Sequence, residues 1–388
     1  MEIVSSKSFS LRSIFIHSWD SFYSEYKHRI RPDVLENVIK IILCRTGKLG
    51  FLLYRCLCGY SKKVPFTCKS RFCSSCGKVA CDNWMNKVMS WSLPNMQYIH
   101  IVFTIPEQLR LFFLLNRKKG LDSLFFASKE AILQTFDEKF NCIPGIISVI
   151  HTFGSDIKWN PHVHMIITSG GIALDNKSWI WTSFIPYKKL REAWKFCLFR
   201  SLRSWTKLQF SQKKYAAFDS LLDSLANIDW YVNVGKKLFS LAFTVQYIGR
   251  YAKRPVIAET RLLGFDGVSV SFSFQDKLAQ KSSVLVLSVF DFIGKLIRHI
   301  PNKHHRMIRY SGIFANRVKT RYLTLVKSFL ETEKQYSPTL KHLSWRDRIH
   351  QFTGLDPLLC PQCLMFMTLI KSYFVPASFY LSLFDSSA

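Results

Sequence analysis

The sequence predicts an α+β fold, in which helices pack on one face of an antiparallel β-sheet. Segments rich in β-branched and aromatic residues alternate with longer segments that carry apolar residues at helical spacing. The chain has 388 residues, of which 48% are hydrophobic, so it is long enough for two or three domains, each with its own core. A cysteine-rich, basic stretch near the N-terminus predicts a small metal-binding module ahead of the sheet.

Apolar periodicity places the helices and strands along the chain. The predicted helices cover residues 11–43 with a new start at Pro32, residues 121–140, and residues 187–226 with a break near 210–211. The predicted strands cover residues 97–105 and 146–153, a segment after residue 159, and a hairpin at 268–274 and 284–288. We interpret most of the apolar residues in these segments as core.

The charge of the chain indicates a polyanionic partner. Lys and Arg total 54 against 26 Asp and Glu, which gives a net charge of +28. Nucleic acid is the first candidate and an acidic membrane surface is the second. Neither an N-terminal signal nor an apolar run of about 18 residues is present, so no membrane span is expected. The cysteines are therefore interpreted as reduced cytosolic thiols, with the clustered ones binding metal.

His162 and His164 are the first candidates for a catalytic metal site. They flank Val163 in a segment of β-branched and apolar residues that ends at Gly170 and Gly171. On a strand, residues two apart point to the same side, so the two imidazoles would converge on one face. Such a pair is half of a divalent metal site, although two ordinary surface histidines would give the same pattern.

Cysteine pairs followed by glycine predict a structural zinc site between residues 44 and 81. Seven of the chain's 11 cysteines lie there, and Cys73 and Cys76 form a C-x-x-C motif closed by Gly77. The preferred ligands are Cys56, Cys58, Cys73 and Cys76, with Cys68 and Cys44 in reserve and a second metal left open. The neighbouring Lys69 and Arg71 would be suited to phosphate contacts.

A second C-x-x-C motif lies near the C-terminus, at Cys360 and Cys363. It is either half of a zinc site that distant residues such as Cys142 or His350 complete, or a pair of unmetallated thiols.

Tyr247 and Tyr251 are four residues apart, so on a helix they would share a face. Arg250, Lys253 and Arg254 lie among them, and a buried apolar stripe would not carry that charge. Neighbouring cations and a metal-bound electrophile would favour nucleophilic attack by a phenol. An ordinary amphipathic helix also produces tyrosines at this spacing.

Residues 292–330 contain nine Lys or Arg and no acidic residue. Arg306 and Arg309 are among them, and the basic residues alternate with apolar ones. We therefore predict a folded surface that contacts the DNA backbone.

Taken together, these motifs resemble the two-tyrosine HUH transposases of the insertion sequence ninety-one family, which move by rolling-circle replication. The resemblance covers nearly the whole chain and depends on the joint presence and order of several blocks. These blocks are residues 68–77, 151–154, 160–164, 247–254, 299–303 and 308–312. The implied fold is an HUH endonuclease-type antiparallel sheet with helices, preceded by a small zinc-knuckle domain.

The resemblance implies a mechanism and a set of site residues. His162 and His164 would hold a catalytic Mg²⁺ or Mn²⁺, and Tyr247 and Tyr251 would cleave single-stranded DNA through a covalent 5′-phosphotyrosine. Many relatives carry a glutamine seven residues before the first histidine, where this chain has Ser155. Asp156 is the first substitute for that third ligand, and His151 is the second.

The implied organisation has three parts: a helical and cysteine-rich zinc-binding domain (1–92), a catalytic domain (93–260) and a basic C-terminal region (261–388). The expected partners are single-stranded element ends and target DNA, in a bacterial cytoplasm and in association with the nucleoid. The oligomeric state is not predicted. A plasmid replication initiator or relaxase is one alternative. A decayed copy that only binds DNA is another, because Ser155 replaces the glutamine of relatives and the pair Cys56 and Cys58 is one residue shorter than their usual C-x-x-C.

Overall fold

The computed structural model describes residues 9–93, 95–238, 256–276, 280–330, 344–376 and 379–380. These residues form helices and antiparallel sheets, and four N-terminal cysteines form a cluster, so the predicted α+β fold with a zinc-binding module is confirmed. The helices are α1 (Leu11–Tyr26), α2 (Pro32–Ile42), α3 (Ser74–Met89), α4 (Glu107–Leu115), α5 (Arg117–Phe140), α6 (Tyr187–Gln209), α7 (Gln212–Ser224), α8 (Val289–Ile297), α9 (Lys319–Phe329) and α10 (Trp345–Thr353). Among the described helices, none is long and apolar enough to cross a membrane.

The strands form three antiparallel sheets within the described residues. They are β1 (Gly50–Arg55), β2 (Ser61–Pro65), β3 (Tyr98–Thr104), β4 (Cys142–Phe153), β5 (Trp159–Ala173), β6 (Trp179–Trp181), β7 (Val232–Leu238), β8 (Leu262–Phe265), β9 (Ser269–Asp276), β10 (Lys281–Ser288), β11 (Ile308–Gly312) and β12 (Thr368–Phe374). The central sheet has the order β11-β4-β5-β3-β7, and β6 pairs with β5. The other two sheets are β12-β1-β2 and β10-β9-β8.

The central sheet is covered on both faces. Successive residues of a strand point to opposite sides, so β5 contributes to two apolar cores. Val163 and Met165 pack with α5 and α6 on one face. Ile166, on the other face, packs with Trp84 of α3 and Val326 of α9. The expectation that helices cover one face is therefore wrong, because α3 and α9 return to the second face from distant parts of the sequence.

The N-terminal helices share a core with residues that lie beyond position 255 in the sequence. Helices α1 and α2 pack with Val256, with the hairpin formed by β9 and β10, and with α8. Ser10 caps α1 through a capping box, and Pro32 opens α2 at its first turn, where its missing N–H costs nothing. This packing crosses both of the boundaries predicted at residues 92 and 260, so the three-part division stays a prediction.

Candidate metal centres and nucleic-acid interface

Three histidines converge on one face of the central sheet, and we call them the histidine cluster: His151 on β4, with His162 and His164 on β5. Their candidate ligand atoms all lie within 4.8 Å of one another. His162 and His164 are two residues apart on the same strand, and the register of β4 on β5 sets His151 directly opposite His162. The ring centroids of His151 and His164 are 4.3 Å apart. The antiparallel register thus supplies a third imidazole to the predicted pair.

The histidine cluster has hydrogen bonds of the kind that orient metal ligands. Nδ1 of His162 lies 2.7 Å from the carbonyl oxygen of Asn160, to which it donates. The proton is thereby assigned to Nδ1, and Nε2 carries the lone pair of the neutral ring. Histidines that bind metals commonly donate their second ring N–H to a backbone carbonyl or another acceptor in this way.

His100 on β3 is a residue that the sequence reasoning missed. Its Nε2 lies 2.9 Å from Nδ1 of His164, and the two rings stack with an interplanar angle of 4°. Burial, followed by the charge of His162, lowers the pKa of His100 to about 4. His100 is therefore neutral near pH 7 and can accept the Nδ1–H of His164. The register of β3 on β5, which places His100 opposite Ile166, is the only signal that could have found it.

The predicted third ligand, Asp156, does not join the histidine cluster. Its carboxylate accepts from the backbone N–H of Lys158 at 3.2 Å and lies 3.3 Å from the Lys158 ammonium. Ser155, which stands at the position of the glutamine in relatives, donates its hydroxyl to the carbonyl oxygen of Gln275 at 2.7 Å. His151, the second sequence candidate, takes the place in the cluster.

The structure divides the four preferred zinc ligands between two clusters. The first cysteine cluster consists of Cys44, Cys68, Cys73 and Cys76. Its sulfur–sulfur distances are 3.7 Å for Cys44 and Cys76, 3.6 Å for Cys68 and Cys76, and 3.8 Å for Cys44 and Cys73. Four thiolates around one zinc ion at 2.3 Å would be about 3.8 Å apart, so this donor set fits tetrahedral zinc.

Local structure places the ligands of the first cysteine cluster. Cys73 is the N-cap of α3 and Cys76 lies in its first turn, where the helix dipole favours thiolates. Cys44 follows α2. The apolar core that α2 shares with the beginning of α3 holds Cys44 next to Cys73 and Cys76. Hydrogen bonds from Cys68 and Cys73 lower the pKa of Cys44 to about 7. The reserve candidates Cys44 and Cys68 thus complete this cluster.

The second cysteine cluster consists of Cys56, Cys58, Cys360 and Cys363. Sγ of Cys56 lies 3.3 Å from Sγ of Cys363, and Sγ of Cys58 lies 3.5 Å from Sγ of Cys360. Neither of the proposed completing residues, Cys142 or His350, belongs to it. The sequence could not show this pairing because the two halves are separated by about 300 residues.

A groove of about 1090 Å³, which we call the basic groove, brings together four of the predicted DNA-binding residues. Lys69 and Arg71 from the cysteine-rich region line it together with Arg306 and Arg309. The other charged lining residues are Lys87, Lys118, Lys303 and Asp122. Arg309 is paired with Asp122, so its charge is partly compensated. Burial lowers the pKa of Arg71 to about 10, which leaves it charged at neutral pH.

The basic groove lies next to the strand that carries His151. The backbone N–H of Ile150 donates to the carbonyl oxygen of Met307 at 3.0 Å, and Met307 also lines the groove. Strand β11 then pairs with β4 from Ile308 onwards. The backbone that leads from the groove is therefore bonded to the residue that immediately precedes His151.

The two tyrosines, Tyr247 and Tyr251, and the cations Arg250, Lys253 and Arg254 lie outside the described residues. The described residues just before position 239 belong to the central sheet. Those just after position 255 belong to the apolar core next to the loop between β4 and β5. Strand β7 pairs with β3, and Val256 belongs to the same apolar cluster as Ile157, which lies between β4 and β5.

Comparisons with known proteins agree with this architecture. A family model described as "Transposase zinc-binding domain" matches residues 14–105, and one described as "Putative transposase" matches residues 145–321. The chain is 31% identical over 353 residues to "Transposase for insertion sequence element IS801" from Pseudomonas savastanoi pv. phaseolicola. This match covers 86% of the chain and 82% of the relative. The chain belongs to the insertion sequence ninety-one family of transposases.

A second relative of this family member is "Putative transposase y4qJ" from Sinorhizobium fredii, strain NBRC 101917 / NGR234. It is 28% identical over 340 residues, covering 83% of the chain and 85% of the relative. No solved structure matches the chain. The zinc-binding match contains all four residues of the first cysteine cluster, whereas Cys360 and Cys363 lie outside both matched regions.

Proposed function

We propose that this family member catalyses DNA transposition by cutting and rejoining single-stranded DNA through a covalent 5′-phosphotyrosine, in a rolling-circle reaction. The observation that carries the proposal is the histidine cluster, three imidazoles held by a rigid sheet beside a basic groove. The family membership supports the transposase class, and the resemblance of residues 247–254 to the two-tyrosine motif supports Tyr247 and Tyr251 as the nucleophiles.

The donor set of the histidine cluster favours manganese over magnesium. Magnesium prefers oxygen ligands and retains several waters, whereas imidazole suits the later and softer divalent ions. A cation held by His151, His162 and His164 would polarise a non-bridging oxygen of the scissile phosphate and so promote attack at phosphorus. Asn160 keeps the His162 ring in the tautomer that presents Nε2, and His100 does the same for His164.

The chemistry requires no external energy source because the number of phosphodiester bonds is conserved. The phenolic oxygen of one tyrosine bonds to phosphorus and its proton passes to solvent. The bond from phosphorus to the 3′-oxygen breaks, and that oxygen leaves as a hydroxyl after taking up a proton. Attack of a 3′-hydroxyl on the phosphotyrosine reverses these steps and restores a DNA strand. The second tyrosine allows two strand ends to be held during transfer.

Binding of DNA is assigned to the basic groove. Its cations would contact phosphates and release counterions, which supplies affinity without reading sequence. The protein backbone that lines the groove is hydrogen-bonded to β4, which carries His151. A DNA strand held in the groove would therefore lie close to His151. Arg250, Lys253 and Arg254 would add contacts beside the nucleophiles. A protein that processes chromosomal and element DNA would work in the bacterial cytoplasm at the nucleoid.

The first cysteine cluster is proposed as the structural zinc site of the zinc-binding domain. Zinc there would hold Lys69 on a rigid loop between Cys68 and the start of α3. Arg71 lies in the same loop, so two cations of the basic groove would depend on this metal for their positions.

An adduct assay tests the proposal. The full chain is incubated with manganese and single-stranded DNA taken from the sequences that flank its gene, and a protein–DNA adduct that survives denaturation is sought. We expect an adduct from the native protein and none from Tyr247→Phe/Tyr251→Phe. Tyr231→Phe, at a tyrosine that is 61% exposed, serves as the matched control and should retain the adduct.

The variants also separate the alternatives. Absence of an adduct, with retained DNA binding, would support a decayed copy that only binds DNA. An adduct that persists in the double variant would show that another residue is the nucleophile. Cleavage at a plasmid origin, with none at the element ends, would assign the protein to replication initiators or relaxases.

A further inference from the structure

Cys360 and Cys363, in the C-terminal tail, lie outside both matched family regions, and their sulfurs meet those of Cys56 and Cys58 from the zinc-binding match. We propose that Cys56, Cys58, Cys360 and Cys363 bind a second structural zinc ion, which fastens the C-terminal tail to the N-terminal zinc-binding domain. The four ligand sulfurs lie within 4.8 Å of one another, as those of the first cysteine cluster do. The inference is independent of the proposed DNA chemistry.

The geometry of the second cysteine cluster is that of a metal site. Its two measured sulfur–sulfur distances, 3.3 and 3.5 Å, are much longer than the roughly 2.0 Å of a disulfide bond. They are close to the separation of about 3.8 Å expected for thiolates around one tetrahedral zinc ion. The donor set also fits, since four cysteine sulfurs are a common structural zinc set and no carboxylate or water position is required.

Both halves of the cluster are built as tight turns that direct two sulfurs to one point. In the first, the backbone N–H of Gly59 donates to the carbonyl oxygen of Cys56 at 3.0 Å. Gly59 has φ of +94°, a conformation that glycine adopts without strain. In the second, the N–H of Leu364 donates to the carbonyl of Cys360 at 2.9 Å, and Leu364 also has a positive φ of 59°. A knuckle of this kind is the usual frame for a zinc-binding cysteine pair.

The tail lacks the apolar core that would otherwise hold it. Of residues 344–376, the buried ones are Pro357, Cys360 and Met367. Every residue of β12 is exposed, and α10 has no buried residue. The apolar cluster at this point has three buried members, Cys56, Cys360 and Met367. Modules with so little buried surface are ordinarily held by a metal or by disulfides.

Other contacts define where the metal would act. Strand β12 pairs with β1 along its whole length, from Gly50 opposite Phe374 to Arg55 opposite Thr368. The ammonium of Lys62 donates to the carbonyl of Pro357 at 2.8 Å. Each of these hydrogen bonds contributes only about 1 kcal/mol by itself. The zinc ion would convert them into a stable three-stranded sheet that joins the two ends of the chain.

Metal content tests the proposal directly. The full chain is purified under reducing conditions with zinc present. The zinc that an organomercurial releases from thiolates is then measured per chain, so that any zinc on the histidine cluster is not counted. We expect two zinc ions in the native protein and one in Cys360→Ser/Cys363→Ser. Cys363→His should retain two, because three cysteines and one histidine also form a tetrahedral zinc site. His350→Ala and Cys197→Ala are matched controls outside both cysteine clusters and should retain two.

A second readout covers the case in which the serine variant folds poorly. Cobalt replaces zinc in the native chain, and the intensity of its thiolate charge-transfer absorption reports the number of cysteine-bound sites. We expect the native chain to show the intensity of eight cobalt–thiolate bonds, four in each cysteine cluster, and Cys363→His to show that of seven. One zinc ion in the native protein, or two in the serine variant, would overturn the proposal. So would disulfides joining Cys56 to Cys363 and Cys58 to Cys360 in the protein purified under reducing conditions.

Discussion

The histidine cluster and the second cysteine cluster are both groups of side chains that could hold a metal ion, but the rest of the molecule supports them very differently. The histidines stand on the two central strands of a sheet with apolar cores on both faces. The cysteines join two segments that share almost no core. A metal at the histidines would therefore act in chemistry on a site that the fold already positions. A metal at the cysteines would be part of what folds the tail.

The largest expected effect is the loss of tail structure when zinc is removed. Structural zinc contributes on the order of 10 kcal/mol to the folding of small modules. We expect a strong chelator to make residues 344–376 rapidly cleavable by protease, while the far-ultraviolet circular dichroism of the central sheet and its helices persists. Peptide mapping by mass spectrometry locates the cuts. If the tail stays resistant to protease after the zinc has been removed, zinc is not what holds the tail in place.

Removal of two histidines should affect activity and leave the fold intact. We expect His162→Ala/His164→Ala to slow cleavage of single-stranded DNA by on the order of 10³-fold or more, because the metal contributes several kcal/mol of charge stabilisation in the transition state. Affinity for DNA, measured by gel shift, should change less than about 3-fold because the proposed phosphate contacts lie in the basic groove. His28→Ala/His350→Ala, at two exposed histidines, is the matched control. Loss of DNA binding in His162→Ala/His164→Ala would contradict the separation of cleavage at the histidine cluster from DNA binding in the basic groove.

His100 provides a finer test of how the histidine cluster is positioned. His100→Ala removes the ring that lies 2.9 Å from His164, and changes to such supporting residues typically cost about 10- to 100-fold in metal affinity or activity. We expect the manganese concentration for half-maximal cleavage to rise by that factor. The maximal rate at saturating manganese should change less. His100→Gln, which restores a hydrogen-bonding group, should recover part of the loss. A reduced maximal rate with an unchanged manganese requirement would exclude the positioning role.

His299 is a buried histidine outside the histidine cluster, and its expected role is structural. It is fully buried between Thr152 and the carbonyl of Ile157, and burial lowers its pKa to about 3. The charges of Arg117, Arg298 and Arg71 contribute to this lowering. Above pH 6.5 the ring is neutral in both the folded and unfolded chains. As the pH falls below that value, only the unfolded chain takes up the proton, so the folded state loses stability.

The expected loss from His299 is about 1.4 kcal/mol per pH unit, or about 2 kcal/mol between pH 6.5 and 5. We expect His299→Gln to flatten this part of the stability profile, measured by urea unfolding at each pH. His350→Gln, at an exposed ring, should leave the slope as in the native protein. An unchanged slope in His299→Gln would show that other groups control the acid sensitivity.

The sequence predicts the local structure and the family well, because both depend on short-range patterns. Periodicity places α1 and α2, the β9–β10 hairpin and the division between α6 and α7 within a few residues of their observed positions. The alternation around Val163 correctly puts His162 and His164 on one face. Short-range patterns do not show which distant strands pair in the folded chain, or in which register. The register of β4 on β5 selects His151 over Asp156, and the β1–β12 pairing brings Cys56 and Cys58 to Cys360 and Cys363.

The shortened pair at Cys56 and Cys58 illustrates the same limit. From the sequence alone it resembles a damaged zinc motif. In the structure it faces a complete C-x-x-C knuckle from the other end of the chain, and the four sulfurs converge as in the intact first cysteine cluster. The spacing of Cys56 and Cys58 therefore says little about the site, because the C-x-x-C motif at Cys360 and Cys363 supplies the other two sulfurs.

The proposed reaction requires that the histidine cluster and one tyrosine, Tyr247 or Tyr251, act on the same phosphate. Its most direct test is to label single-stranded element-end DNA at either terminus, react it with the native protein and manganese, and map the adducted peptide by mass spectrometry. We expect the protein to be attached to the 5′-phosphate of the downstream fragment through Tyr247 or Tyr251, and we expect no adduct from His162→Ala/His164→Ala. Attachment to a 3′-phosphate or through another residue, or an adduct that forms without the histidines, would contradict it.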